Sequence, residues 1–169
     1  MSIERPLQVS DDVTIDVAAD VAHAAVADPS MMGRWSPENQ GATIATEGSP
    51  APTGTVFIGH NRRGRAGWST RCVVTANDPG ERFAFDVVRI GRGPVMLPAA
   101  IASWEYRFER LAPERTRVVE TWRDNRRWSD ARAARFDRIV TGGRLFHEFQ
   151  ARNIRRTLDR LKDDLEGAR

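Results

Sequence analysis

Hydrophobic and polar residues alternate at period two through the second half of the chain. Trp104, Tyr106 and Phe108 alternate with charged residues, and Glu120 and Trp122 repeat the pattern in the next segment. Such alternation predicts neighbouring strands with one solvated and one apolar face. The apolar face is wide and aromatic, and it carries two polar groups, Tyr106 and Glu120. It indicates a sheet that either packs on one helix or encloses a ligand.

The other elements follow from the same patterns and from the turn residues between them. We expect a first strand over residues 7–17, a short helix over 20–27 and a further turn from Ser30. Six strands are predicted next, at 41–47, 54–62, 67–76, 82–90, 101–110 and 116–124. Helical spacing then predicts a helix from a Ser129 cap to about Ile139, and a long helix from a Thr141 cap to about Glu166. Strands in a run followed by a helix indicate an α+β fold, with a curved antiparallel sheet wrapped around the C-terminal helix.

The final helix has one apolar face at helical spacing. This face carries Ile154, Leu158, Leu161 and Leu165, and His147 projects onto it. We expect this face to point toward the sheet. Another side of the helix carries Leu145, Phe146 and Phe149, which we expect to pack under the 129–139 helix.

Short motifs distributed along most of the chain occur in a recognisable order. They are Asp28-Pro29, Arg34-Trp35-Ser36-Pro37-Glu38, Gly54-Thr55-Val56-Phe57, Gly59, Asn61-Arg62, Trp68, Cys72, Val74, Pro79, Phe83-Ala84-Phe85, Trp104-Glu105-Tyr106, Thr116-Arg117-Val118, Glu120, Trp122, Arg156-Thr157-Leu158 and Leu161-Lys162. With these motifs, the chain resembles the START-like helix-grip superfamily, and within it the polyketide cyclase/dehydrase and lipid-transport group (SRPBCC proteins). The resemblance implies a single domain over residues 1–169, with an apolar cavity between the sheet and the C-terminal helix. The segment at about 125–140 is longer than the family pattern, and we interpret this insert as a lid or a contact surface.

Alternation along each predicted strand assigns the residues that face this cavity. The predicted ligand-binding residues are Trp35, Phe57, Asn61, Trp68, Thr70, Cys72, Phe83, Phe85, Trp104, Tyr106, Trp122, His147 and Ile154. An apolar lining with a few polar groups is typical of small-molecule sites.

Three of the inward-facing residues are candidates for catalysis. Glu120 is the first, because burial raises the pKa of a carboxyl and makes it a possible general acid or base. Tyr106 could donate a proton or orient a ligand carbonyl, and His147 could carry protons. The structural alternatives are an ion pair or hydrogen bond for Glu120, a satisfied core hydroxyl for Tyr106 and a polar helix edge for His147.

Composition and motifs exclude several other classes. The three histidines lack metal-ligand spacing, and neither a nucleophile elbow nor a nucleotide loop is present, so we expect no metal and no cofactor. A single cysteine among 169 residues fits a reducing compartment, and no stretch has the length of a membrane span, so we expect a soluble, cytoplasmic protein. We expect no nucleic-acid partner and a monomer or homodimer. Residues 93–101 are too apolar for a solvated loop, and we interpret them as a flap over the cavity mouth or an oligomer contact.

Three functions remain open from the sequence. The first is binding of a small hydrophobic ligand, lipid-like or polyketide-like, in the cavity. The second, implied by the resemblance, is an aromatase/cyclase that closes and dehydrates a polyketide chain there. The third uses the basic surface of residues 123–169, which hold 13 basic and 8 acidic residues, to contact an acidic partner.

Overall fold

The computed structural model describes residues 4–44 and 51–168. Its strands are β1 Gln8–Ile15, β2 Asn39–Ile44, β3 Val56–Arg63, β4 Ala66–Asp78, β5 Arg82–Arg92, β6 Val95–Ala112 and β7 Arg115–Asp124. Its helices are α1 Ala19–Val26, α2 Asp130–Thr141 and α3 Phe146–Gly167, with a 3₁₀ segment at Pro29–Arg34. The expected α+β helix-grip architecture is confirmed.

All seven strands form one antiparallel sheet in the order β1-β7-β6-β5-β4-β3-β2. Strands β3 to β7 follow one another as hairpins, as the turn residues between them predict, and β2 pairs antiparallel with β3, although the start of the turn predicted at 49–54 lies outside the described residues. The exception is β1, which pairs with β7, so the chain must cross to the far edge of the sheet before β2 begins. Helix α1 and the 3₁₀ segment make that crossing.

Most element boundaries shift by a few residues from the sequence prediction, and the main differences concern β6, α3 and β2. Residues 95–101 are not a loop, because they extend β6 and pair with the end of β5, from Arg92↔Val95 to Ile90↔Leu97. Thr141 does not cap the final helix. It ends α2, Gly142 follows at φ 74, and Leu145 is the N-cap residue of α3. The predicted second strand at 41–47 begins earlier, at Asn39, and its last three residues lie outside the described part of the chain.

Helix α3 packs its apolar stripe against one side of the sheet. Ile154, Leu158 and Leu161 are fully buried in the core, and the helix backbone lies closest to β1 and β7. It lies farther from β3, β4 and β5. The apolar side chains of those strands therefore face a space that the helix does not fill.

The 125–140 insert is held in place by a buried ion network. Arg126 donates to Asp124 at 2.9 and 2.6 Å, and its Nη1 donates to Asp137 of α2 at 2.6 Å. Asp137 also accepts the backbone N–H of Phe146 at 3.0 Å, which connects the end of β7 to both helices. The guanidinium of Arg126 lies 4.7 Å from the ring centroid of Phe146. This network fixes α2 beside the N-terminus of α3.

No helix within residues 4–44 and 51–168 is long and apolar enough to cross a membrane.

Removing the charge at the centre of the network should destabilise the fold. Arg126→Met would leave the buried carboxylate of Asp137 without its cation and Asp124 with Arg5 alone, at 3.2 Å, so we expect the free energy of unfolding to fall by about 3–5 kcal/mol. Urea denaturation followed by circular dichroism measures this. The matched control is Arg110→Met, because Arg110 and Asp20 are both largely exposed and 3.8 Å apart. Equal unfolding curves for the two variants would contradict a structural role for the network.

Candidate functional site

A cavity of about 880 Å³ lies between α3, α2 and the concave face of the sheet. Most of the residues predicted to bind a ligand line it. They are Trp35, Phe57, Asn61, Trp68, Thr70, Cys72, Phe85, Trp104, Tyr106 and Trp122, and the catalytic candidate Glu120 lines it as well. The strand alternation thus identified the sheet wall of the cavity, whereas the binding role of these residues stays a prediction.

Three predicted residues do not line the cavity. Phe83 and Ile154 are fully buried in the closed core, where the ring centroids of Phe83 and Phe85 are 6.1 Å apart. His147 is half-buried and lies outside the lining. The structure therefore gives no place in the site to His147 as a proton carrier or to Ile154 as a wall.

The reason is the orientation of α3. Its apolar stripe faces β1 and β7, and the cavity meets mainly the neighbouring polar row, Gln150, Asn153 and Thr157, together with Phe146 at the helix start and Leu161 at the edge of the stripe. At 100° per residue the centre of this row is rotated by roughly 75° from the centre of the stripe. The signal in the sequence was the spacing of these polar residues beside an apolar stripe, which the sequence analysis missed.

Tyr106 and Glu120 form a buried pair on the sheet wall. They are direct neighbours in the β6–β7 register, so both side chains project from the same face. The Tyr106 hydroxyl donates to Glu120 Oε1 at 2.7 Å. Glu120 Oε2 is buried and has no hydrogen-bond partner among the described residues. Glu120 thus holds one unsatisfied carboxyl oxygen within the wall of the cavity.

Burial controls the ionisation of this pair. Glu120 is 2% exposed, and desolvation raises its pKa from 4.5 to about 8, although the hydrogen bond from Tyr106 opposes the shift. Desolvation also raises the pKa of Tyr106 well above its ordinary value, and the neighbouring carboxyl adds to that effect. Near neutral pH both groups hold their protons, so a protonated Oε2 would be a donor without an acceptor.

A second polar group lies on the opposite side of the cavity, on β2 to β4. Asn61 Nδ2 donates to Thr70 Oγ1 at 3.2 Å, and its Oδ1 accepts from Asn39 at 3.4 Å. Glu38 accepts from Asn153 of α3 at 3.2 Å and from Arg63 at 2.5 Å. These bonds join the end of the sheet to the polar row of the helix, and they give the cavity a polar side facing its aromatic wall.

The mouth of the cavity is formed by α2 and two hairpins. Phe136, Ile139 and Val140 of α2 line it, together with Leu97 and its neighbours on the extended β5–β6 hairpin. Arg63, at the tip of the β3–β4 hairpin, connects that hairpin to both helices. Its guanidinium lies 4.1 Å from the ring centroid of Phe149 in α3 and donates to the carbonyl of Val140 in α2. Both segments that the sequence analysis interpreted as a flap or lid therefore border the opening.

The lining suits a hydrophobic molecule with few polar atoms. Aromatic and aliphatic side chains make up most of the wall, and hydrogen-bonding groups lie mainly at the Tyr106–Glu120 pair, on the Asn61 side and along the polar row of α3. Cys72 adds no nucleophile, since burial raises the pKa of its thiol to about 12.

Comparison with protein families finds one match. Residues 6–166 match the family described as polyketide cyclase / dehydrase and lipid transport. Comparison with the curated proteins finds no match.

Solved structures share the fold at low sequence identity. The Zhui aromatase/cyclase from Streptomyces sp. R1128 is 19% identical with a TM-score of 0.59, and the alignment covers 95% of this chain and 96% of that one. A START superfamily protein from Mycobacterium smegmatis is 14% identical with a TM-score of 0.57, and the alignment covers 95% of each chain. The di-domain ARO/CYC BexL from the BE-7585A biosynthetic pathway is 18% identical with a TM-score of 0.63. The alignment covers 94% of this chain and 46% of BexL, so the chain spans about half of that protein.

The buried carboxyl should make stability depend on pH. Glu120 loses its proton at about pH 8 in the folded state and near 4.5 in the unfolded chain. Between these values the folded state binds more protons, so the free energy of unfolding should fall as pH rises, by up to about 1.4 kcal/mol per pH unit from this group. Glu120→Gln should remove that slope. Urea denaturation across the range measures it, and equal slopes in the two proteins would show that Glu120 ionises normally.

Proposed function

Because this chain belongs to the polyketide cyclase/dehydrase and lipid-transport family, we propose that it binds a small hydrophobic molecule, lipid-like or polyketide-like, in the cavity between sheet and helix. The observation that carries the proposal is the aromatic cavity of about 880 Å³. Pockets for small ligands measure roughly 300–1,000 Å³ and are mostly apolar with a few placed polar groups. Apolar contacts to the ligand come from the indole rings of Trp35, Trp68, Trp104 and Trp122 in the wall. Asn61 and Tyr106 supply polar anchors.

Occupying the cavity with a larger side chain should prevent binding. Thr70 lies on the cavity side of β4, and we expect Thr70→Phe to weaken affinity at least about tenfold, a change of about 1.4 kcal/mol. Thr43→Phe is the matched control, because Thr43 is exposed on the neighbouring part of the sheet. Affinity is measured by quenching of tryptophan fluorescence with fatty acids, sterols and aromatic polyketides. Native mass spectrometry tests for a retained ligand. If no probe binds and no ligand is retained, the proposal fails.

A second candidate function is ring closure and dehydration of a polyketide chain. The specific observation in its favour is the Tyr106–Glu120 pair, since a protonated carboxyl and a phenol in an enclosed site can donate protons to a developing alkoxide or leaving hydroxyl. Two of the structural neighbours are an aromatase/cyclase and an ARO/CYC di-domain protein, which adds support. The enclosed wall would also hold the chain in a folded shape before closure.

Substitution of the carboxyl separates the two functions. For an enzyme, Glu120→Gln should lower the single-turnover rate by about 10²–10⁴-fold while affinity for the substrate stays within a few fold. For a carrier, the same variant should bind as the wild type does. The substrate is a poly-β-carbonyl thioester mimic, and products are followed by liquid chromatography and mass spectrometry. Tyr106→Phe is the companion variant. If the wild type turns over none of these mimics, the enzyme is excluded for this substrate class.

The proposal extends to organisation, partners and location. The whole chain works as one domain, with the 125–140 insert as a lid or contact surface at the mouth. It acts as a monomer or homodimer in the cytoplasm on a small apolar molecule, without a nucleic-acid partner. The single free and buried Cys72 fits a reducing compartment.

A further inference from the structure

Large apolar side chains are exposed around the opening of the cavity. Val95 and Leu97 on the β5–β6 hairpin, with Phe136, Ile139 and Val140 on α2, are between 37% and 73% exposed. All of these except Val95 also line the cavity, and Val95 lies two residues before Leu97 on the same face of β6. They therefore belong to one surface, which we call the mouth surface.

Arginines without ion-pair partners flank these apolar residues. Arg89 and Arg92 lie on the β5–β6 hairpin, and Arg135 and Arg138 lie on α2. All four are exposed, and within residues 4–44 and 51–168 none of them forms an ion pair. The β3–β4 turn adds Arg65, which is also exposed and forms no ion pair with any residue that the structure describes.

Acidic residues do not neutralise this end of the molecule. Residues 57–73 and 87–104, which include both hairpin tips, contain no Asp or Glu. The two acids of α2 are already bonded, Asp130 to Arg5 at 2.8 Å and Asp137 to Arg126 at 2.6 Å. The arginines around the mouth surface thus outnumber the exposed acids near them, which are Glu4 beside Arg5 and Glu148 at the start of α3.

The far end of the sheet has the opposite character. There Arg117 pairs with both Asp12 and Glu109, at 2.9 and 3.0 Å, and Arg110 lies 3.8 Å from Asp20. Leu111 is also exposed at that end, but it does not line the cavity. Unpaired arginines and clustered apolar side chains coincide only at the mouth in the described part of the chain.

We propose that the mouth surface docks on an anionic lipid bilayer. Apolar residues from a hairpin and a helix surround one opening. In a bilayer interface these side chains would be buried among the acyl chains, and the arginines would form ion pairs with the anionic headgroups. A ligand inside the cavity does not account for these charges. The arginines that line the cavity, Arg63 and Arg126, are paired with Glu38, Asp124 and Asp137. Docking would turn the opening toward the acyl chains, so an apolar molecule could pass between bilayer and cavity without crossing water.

Vesicle co-sedimentation without any added ligand tests the proposal. The protein should sediment with vesicles of equimolar phosphatidylcholine and phosphatidylglycerol and remain in solution with phosphatidylcholine alone. Sedimentation should weaken at about 1 M salt, where the Debye length is only about 3 Å. Arg135→Gln with Arg138→Gln should reduce the partition constant by about five-fold per arginine. Leu97→Ser with Ile139→Ser should reduce it through the apolar contacts.

Matched variants at the far end serve as controls. Arg110→Gln with Arg115→Gln removes the same charge, and Val21→Ser with Leu111→Ser removes exposed apolar side chains away from the mouth. Both should sediment as the wild type does. The proposal is overturned if the wild type stays in solution with both vesicles, or if mouth and control variants lose binding equally.

Binding to polyglutamate instead of vesicles would assign the surface to an acidic protein. A dimer abolished only by the mouth variants would assign it to a second copy. Docking and ligand binding are measured in separate experiments, so a protein that does not dock can still be shown to bind a ligand.

Discussion

One helix cannot cover the concave face of a seven-stranded sheet, and the site exists because of this mismatch. The apolar stripe of α3 is buried against β1 and β7, on the side of the sheet where the first and the last strand pair. The aromatic residues of β3 to β6 face the remaining space. In a smaller sheet they would be core. Here they become the wall of a cavity, and α2 closes part of the gap without filling it.

The polar groups of the cavity depend on positions that the fold fixes independently of them. Tyr106 and Glu120 meet because the β6–β7 ladder places them opposite each other, and backbone hydrogen bonds hold that ladder whatever the side chains are. Their burial then sets their protonation. The Arg126 network works differently, since its own charges hold the insert against the sheet. The site thus combines a rigid wall with an opening whose geometry depends on a few ion pairs.

Sequence patterns predicted the sheet wall and the fold class well, because period-two alternation directly reports which side chains share a face. They assigned Tyr106, Glu120 and the tryptophans of the sheet to the same wall. They failed for His147 and Ile154, because an apolar helical stripe shows that a helix is buried without showing which side of the sheet it meets. The extension of β6 through Leu97 was also missed. Pro98, with Gly93 and Pro94 just before the strand, indicates a loop locally, whereas pairing with β5 makes it a strand. The pairing runs across the two-residue turn at Gly93-Pro94, and the prolines on both sides of residues 95–97 obscured this hairpin in the sequence.

The chain's single cysteine lies inside the cavity lining. Its thiol is buried and mostly protonated, so a neutral alkylating reagent reaches it only by entering through the opening between α2 and the hairpins. No second thiol competes for the label. Because only its small thiolate fraction reacts, modification of Cys72 is slow, and the ratio of the rates with and without an occupant reports how fully that occupant shields the wall.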